Sequence, residues 1–178
     1  LRRIADLIHR HGAVAIQQIL HAGRYGGIDL DYCVQPSAVP QTLRHFRPPR
    51  EMSVEEVEAC VRDHAAAARR AIEAGFDGVE LTSFMGYLFA NFLSPYTNQR
   101  TDRYGGSLEN RCRFVVEVAQ AIRPVIGKDA PLIIRLNAAE FMDEYGGNTP
   151  EQCVEIMKVV EQAGVDMISV VMGWHESR

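Results

Sequence analysis

The sequence has no apolar run of membrane-spanning length, and its N-terminus lacks the charged, apolar and small-residue order of a signal peptide. No membrane partner is expected, and a cytoplasmic setting is. There is no basic block either. Lys and Arg number 19 against 23 Asp and Glu, for a net charge of −4, so no nucleic-acid partner is expected. The four cysteines, Cys33, Cys60, Cys112 and Cys153, show no Cys-x-x-Cys spacing. This argues against a metal site, an iron–sulfur cluster or a disulfide framework within these residues, and for reduced thiols. Low-complexity segments and domain linkers are also missing, so residues 1–178 read as one unit.

What is present is an alternation. Short apolar runs at residues 13–19, 78–81, 132–136 and 167–171 read as β-strands, with at least one amphipathic helical segment between successive runs. Strand–helix alternation implies an α/β fold with a parallel sheet and right-handed crossovers. Residues 1–11 read as a helix closed by Gly12. Ser53 with Glu56 forms a capping box for an Ala-rich helix reaching about Ala74, with Gly75 as its stop. Ser107 caps a helix carrying Phe114, Val115, Val118 and Ile122. Thr149, Pro150 and Gln152 open the last helix, which Gly164 ends. Two long connections, residues 21–51 and 82–106, show no helix or strand of their own, and such stretches are usually functional or disordered.

Gln18, Tyr87, Arg135 and His175 each fall at or just past the end of an apolar run. In a (β/α) barrel these ends share one face, where the chemistry gathers. Four strands make either a smaller open α/β domain or half of an eight-stranded barrel. The start at Leu1-Arg2-Arg3-Ile4, which reads as the middle of a helix, and the stop just after His175 favour an interior segment of a longer enzyme.

Four motifs carry a resemblance: Gln18-Ile19-Leu20-His21-Ala22-Gly23-Arg24, Gly86-Tyr87-Leu88, Thr101-Asp102-Arg103-Tyr104-Gly105-Gly106-Ser107 and Gly173-Trp174-His175-Glu176. In their order and spacing the chain resembles the old yellow enzyme family of flavin-dependent ene-reductases, and within it the branch containing 2,4-dienoyl-CoA reductase. The resemblance implies a (β/α)8 TIM barrel binding FMN, of which this chain supplies about strands 3 to 6. It implies that Gln18 hydrogen-bonds the polar edge of the flavin, an amide being able both to donate and to accept. It also implies that Arg135 lies beside the flavin pyrimidine, where a fixed guanidinium stabilises negative charge. The structural alternatives are a Gln satisfied by backbone and an ion pair of Arg135 with Glu80.

By the same resemblance, Tyr87 protonates the substrate α-carbon, and His175 assists by protonation or carbonyl polarisation. His21 is a weaker candidate lining the flavin pocket; His9, His11, His45 and His64 read as surface residues. The sequence departs from the family where a His-x-x-His or His-x-x-Asn pair precedes Gly-Tyr: Thr82 and Met85 stand there, and Met85 cannot donate a hydrogen bond. The segment from Ser94 to Ser107 matches closely but reads as structural support for the Tyr87 loop, through Asp102, Arg103, Asn110 and Arg111. Phe84, Phe89, Phe92 and Phe141 suit either an apolar substrate pocket or plain core.

The expected function is reduction of an activated C=C bond in a small-molecule enoyl or dienoyl thioester, such as an enoyl-CoA, or in an enone, with NAD(P)H as reductant. FAD and a 4Fe-4S cluster would belong to a longer parent, and oligomerisation is open. The rival readings are an amine dehydrogenase related to trimethylamine dehydrogenase and a non-catalytic half-barrel.

Overall fold

A computed structural model describes residues 1–26, 31–43 and 47–177. The elements run α1 (Arg2–Arg10), β1 (Ile16–Ile19), β2 (Cys33–Gln35), β3 (Pro49–Glu51), α2 (Val54–Glu73), β4 (Gly78–Ser83), α3 (Leu88–Leu93), α4 (Leu108–Ile126), β5 (Leu132–Ala139), α5 (Pro150–Gln162) and β6 (Met167–Met172). All expected helices and strands are present. The first strand is shorter than the apolar run suggested: residues 13–15 precede it, with Ala15 tied to Asp77 through its carbonyl and its N–H.

β1, β4, β5 and β6 form one sheet in that order, every pair parallel. The intervening helices are the crossovers that parallel neighbours require. Helix starts follow the sequence signals. Ser53 and Thr149 each make a full capping box, with Glu56 and Gln152 respectively, and the Ser107 side chain accepts from the Asn110 N–H.

Side chains alternate across the strands, and the two faces differ in character. Val79, Leu81, Ile134 and Leu136 point to the helix-covered face and join Phe114, Val115, Val118 and Ile122 of α4 in the main core. The register sets Gln18 opposite Glu80, Thr82 opposite Arg135, and Arg135 opposite Ser169, so these polar residues share the other face. Among the described residues β1 and β6 each have one strand neighbour. Exposed Met167, Val170 and Met172 on β6, and Ile4, Leu7 and Val14 on or beside α1, leave both margins apolar. This is an arc of a (β/α)8 barrel, with a helical outer layer and an open inner face.

Both long connections contain structure that the sequence did not announce. Residues 21–51 include a 3-10 turn at Gly23–Tyr25 and a small parallel sheet of β2 with β3. Residues 82–106 include α3, all six of whose residues are buried. These segments are too short for a periodic signal, and tertiary packing decides them. Arg100 ties the two connections together, donating to the Pro36 and Met52 carbonyls and pairing with Asp102.

His64 is a correction: it is buried on α2 at 5% exposure, its ring packed on Phe89, and its Nδ1 lies 2.8 Å from the Cys60 carbonyl oxygen one turn back. An Ala-rich helix offers little contrast between its faces, so position alone does not tell which His points inward. Burial also lowers the His64 pKa. His9 and His11 are exposed as expected; His45 lies outside the described residues. The phenylalanine ridge does not form as a pocket: Phe89 and Phe92 pack with Phe114 in the core, while Phe141 is exposed. All four cysteines are free and buried. No helix among the described residues is long and apolar enough to cross a membrane.

Candidate active site

The strand register brings two of the four singled-out residues together at once. Gln18 is at the end of β1 and donates from Nε2 to Glu80 on β4. Arg135 on β5 reaches the other oxygen of Glu80 at 3.5 Å, and its Nε donates to Ser169 Oγ at 3.2 Å. The ion pair between Arg135 and Glu80 is therefore present, and Glu80 bridges the amide and the guanidinium. These contacts are long for Arg135, which keeps about a third of its side chain exposed. An amide and a guanidinium on one open polar face, each with a hydrogen-bonding edge still available, suit the polar margin of a planar heterocycle.

Loops at the C-terminal strand ends place the other two. Tyr87 is the N-cap residue of α3, and the Tyr87 N–H donates to the Phe84 carbonyl. His175 lies just past β6, with its Nε2 3.2 Å from the Tyr87 hydroxyl. The two rings meet edge to face with centroids 5.4 Å apart. Phe84 packs edge-on against Tyr87 at 5.6 Å and lies beneath the Arg135 guanidinium at 5.5 Å, which links the two halves of the site. A phenol hydrogen-bonded to an imidazole can pass a proton to a neighbouring atom and recover one through the ring.

Met85, where the sequence lacks a hydrogen-bonding side chain, works through its backbone. It takes a positive φ of 54°, pairs with Trp174 in an isolated parallel bridge, and its carbonyl accepts from the His175 N–H at 3.2 Å. Gly86 follows at φ 83°, and a Cβ there would meet the Tyr25 hydroxyl at 2.5 Å and Trp174 at 2.7 Å. Only glycine lets those two rings come so close to the chain beside Tyr87. Asn91 then donates to the Gly86 carbonyl at 2.8 Å. His21 is half-buried, accepts from the Gly23 N–H, and has its pKa lowered mainly by burial.

Sequence reading missed two buried carboxylates. Glu176 accepts from the Tyr25 hydroxyl and lies 3.2 Å from Arg24, with both charged side chains fully buried. Residues 25 and 176 are too far apart in sequence for any spacing rule to join them. Glu140, past the end of β5, accepts from Ser94 Oγ and from the backbone and side chain of Asn148. Burial nevertheless pushes its carboxyl up to about 7. The support expected of Arg111 takes a specific form, since it donates to the Leu93 and Gly106 carbonyls and to Asn148, below α3. No group of three or more His, Cys, Asp or Glu among the described residues could hold a metal ion.

The family follows from comparison with known proteins. Residues 1–177 fit the model of the NADH:flavin oxidoreductase / NADH oxidase family, the old yellow enzymes, and the chain belongs to it. It is 42% identical, over its whole length, to 26% of a metal reductase of Desulforamulus reducens. Among solved structures it superposes on 2-naphthoyl-CoA reductase in complex with 2-naphthoyl-CoA with a TM-score of 0.95 at 41% identity, covering 99% of this chain and 29% of that one. Histamine dehydrogenase from Rhizobium sp. 4-9 gives a TM-score of 0.88 at 32% identity, with 96% and 25% covered. The chain thus spans about a quarter of the length of each of these relatives.

Proposed function

We propose that this chain forms the catalytic arc of an FMN-dependent ene-reductase that adds hydrogen across an activated C=C bond of an enoyl or dienoyl thioester or an enone. The observation that carries the reading is the 3.2 Å contact between the Tyr87 hydroxyl and His175, beside an open face bearing Gln18 and Arg135. Similarity to a reductase solved with an aromatic acyl-CoA supports a thioester as the acceptor.

The donor set fits the flavin. Gln18 would hold its polar edge, and Arg135 would lie beside the pyrimidine, with Glu80 holding both side chains. Bound FMN would supply the hydride, with NAD(P)H as the source of electrons. Tyr87 would give its proton to the α-carbon while His175 holds the hydroxyl and returns a proton from solvent. Any FAD or 4Fe-4S cluster would be carried by other residues than these, since the four cysteines are buried and separate.

Histamine dehydrogenase motivates a second reading, oxidation of an amine. A cation would need open aromatic faces. Trp174 instead is 4% exposed, packed on Tyr96 and against Gly86, which favours the ene-reductase.

The test compares steady-state reduction of enoyl thioesters and enones with oxidation of amines, in the full chain and in Tyr87→Phe. Expected is enoyl reduction that Tyr87→Phe slows by about 100-fold or more. Unchanged enoyl reduction in that variant would remove Tyr87 from the role. Amine turnover without enoyl reduction would replace the proposal with its rival, and bound flavin without turnover of either would point to a non-catalytic arc.

A further inference from the structure

His175 is exposed and sits on a loop, yet its Nε2 is held on the Tyr87 hydroxyl. The residue after it explains how. One oxygen of Glu176 takes the Tyr25 hydroxyl at 2.8 Å and faces Arg24 Nε at 3.2 Å. Its other oxygen takes both the Thr42 N–H at 2.8 Å and the Thr42 hydroxyl at 3.0 Å. The carboxylate is thus held on both sides by the segment that follows β1, on the far side of the arc from β6.

Burying two charges costs several kcal/mol per ion, and a well-packed apolar pair often serves stability as well. A buried pair with this many directional contacts instead fixes geometry. The Tyr25 ring reaches both partners of the proton-transfer pair, edge-on to His175 at 5.0 Å and to Tyr87 at 6.1 Å. The glycine that admits Tyr25 is Gly86, the residue immediately before Tyr87.

We propose that Tyr25 and Glu176 are positioning residues: with Arg24 and Thr42 they lock the loop after β6 to the segment after β1, and so set His175 against the Tyr87 hydroxyl. The inference rests on the ene-reductase reading for its kinetic consequence, though not for its geometry. The lock couples the loops after β1, β4 and β6, although β1 and β6 are not neighbours in the sheet among the described residues. Loosening it frees the imidazole while leaving the flavin-facing residues Gln18 and Arg135 in place.

The experiment uses the full chain with 15N-labelled histidine, comparing wild type, Tyr25→Phe, Thr42→Val and Glu176→Gln. In wild type, one ring nitrogen of His175 should carry the chemical shift of a hydrogen-bonded site. Tyr25→Phe, which keeps the ring packing, should lose that signature. It should also lower kcat for enoyl reduction by about tenfold to a hundredfold, with KM nearly unchanged, as expected for a misplaced group. Thr42→Val should act in the same direction and more weakly. Tyr25→Phe that lowers the melting temperature but leaves the His175 signals and kcat as in wild type would overturn the proposal, and would do so even if Glu176→Gln fails to fold. If no enoyl substrate is turned over, the ene-reductase reading falls, while the ring signals still decide the lock.

Discussion

The two faces of the sheet are made by the same strands, and they behave as different materials. Val79, Leu81, Ile134 and Leu136 lie between 0 and 2% exposed, on the side covered by α2 and α4. One residue along, Glu80 and Arg135 are joined at 3.5 Å, and Gln18 is exposed. Packing fixes the first face through dense contact that tolerates no void. On the second, polar groups hold one another loosely and keep donors available. The covered face stabilises the arc, and the open face carries the residues proposed for chemistry at the strand ends.

The largest test of that contrast lies on the covered side. Phe114→Ala, at a fully buried ring touching Phe89 and Phe92, should cost about 3–5 kcal/mol of stability. A loss below about 1 kcal/mol in urea unfolding would show that the core is not where stability resides.

The buried Glu140 should give an intermediate effect that depends on pH. Burial raises its folded-state pKa from the usual carboxylate range to about 7, despite donors from Ser94 and Asn148 and the nearby Arg111 charge. The folded state therefore holds a proton that the unfolded chain releases. Stability contributed by the neutral acid is complete below the unfolded value and is lost as pH rises through the folded one, a fall of about 1–3 kcal/mol across that window. Glu140→Gln should flatten this slope; a slope identical to wild type would assign the pH dependence elsewhere.

A smaller change is expected at a helix start. Ser53→Ala removes the side-chain acceptor of the α2 capping box and should cost about 1 kcal/mol, read as a shift in denaturation midpoint at constant m-value. The smallest effect on stability belongs to the open face. Arg135→Met should change stability by under about 1 kcal/mol, because the contact it loses is partly exposed. The same variant should weaken FMN binding in a spectral titration. Large destabilisation with undiminished FMN affinity would reverse the comparison.

Much of the architecture was legible because local rules set it. Short apolar runs marked the strands. Ser53, Ser107 and Thr149 marked helix starts, and each makes its side-chain cap. Glycines followed the helix ends. The family was legible too, since motifs such as Gly173-Trp174-His175-Glu176 keep their order along the chain, and the family match covers residues 1–177. The two long connections were not legible. Their short elements, β2, β3 and α3, carry too few residues for a periodic signal and exist because neighbouring segments satisfy them. His64 escaped for a related reason, since a helix of alanines reveals its inward face only when something packs on it.

The candidate site divides the same way. Residue types and positions at strand ends singled out Gln18, Tyr87, Arg135 and His175 from the sequence. Their distances, and the carboxylates that hold their loops, came only with the fold.

The sequence by itself determined the alternation of parallel strands and helices, the capped helix starts and the family, because each depends on neighbours within a few residues or on motif order. Only the tertiary structure decided that Glu80 bridges Gln18 and Arg135, that Met85 acts through its backbone, and that Glu176 is buried against Arg24 and Tyr25. Those contacts join residues dozens to more than a hundred positions apart. Which of them is buried, as Glu176 is against Arg24, and which stays open is a property of the assembled chain.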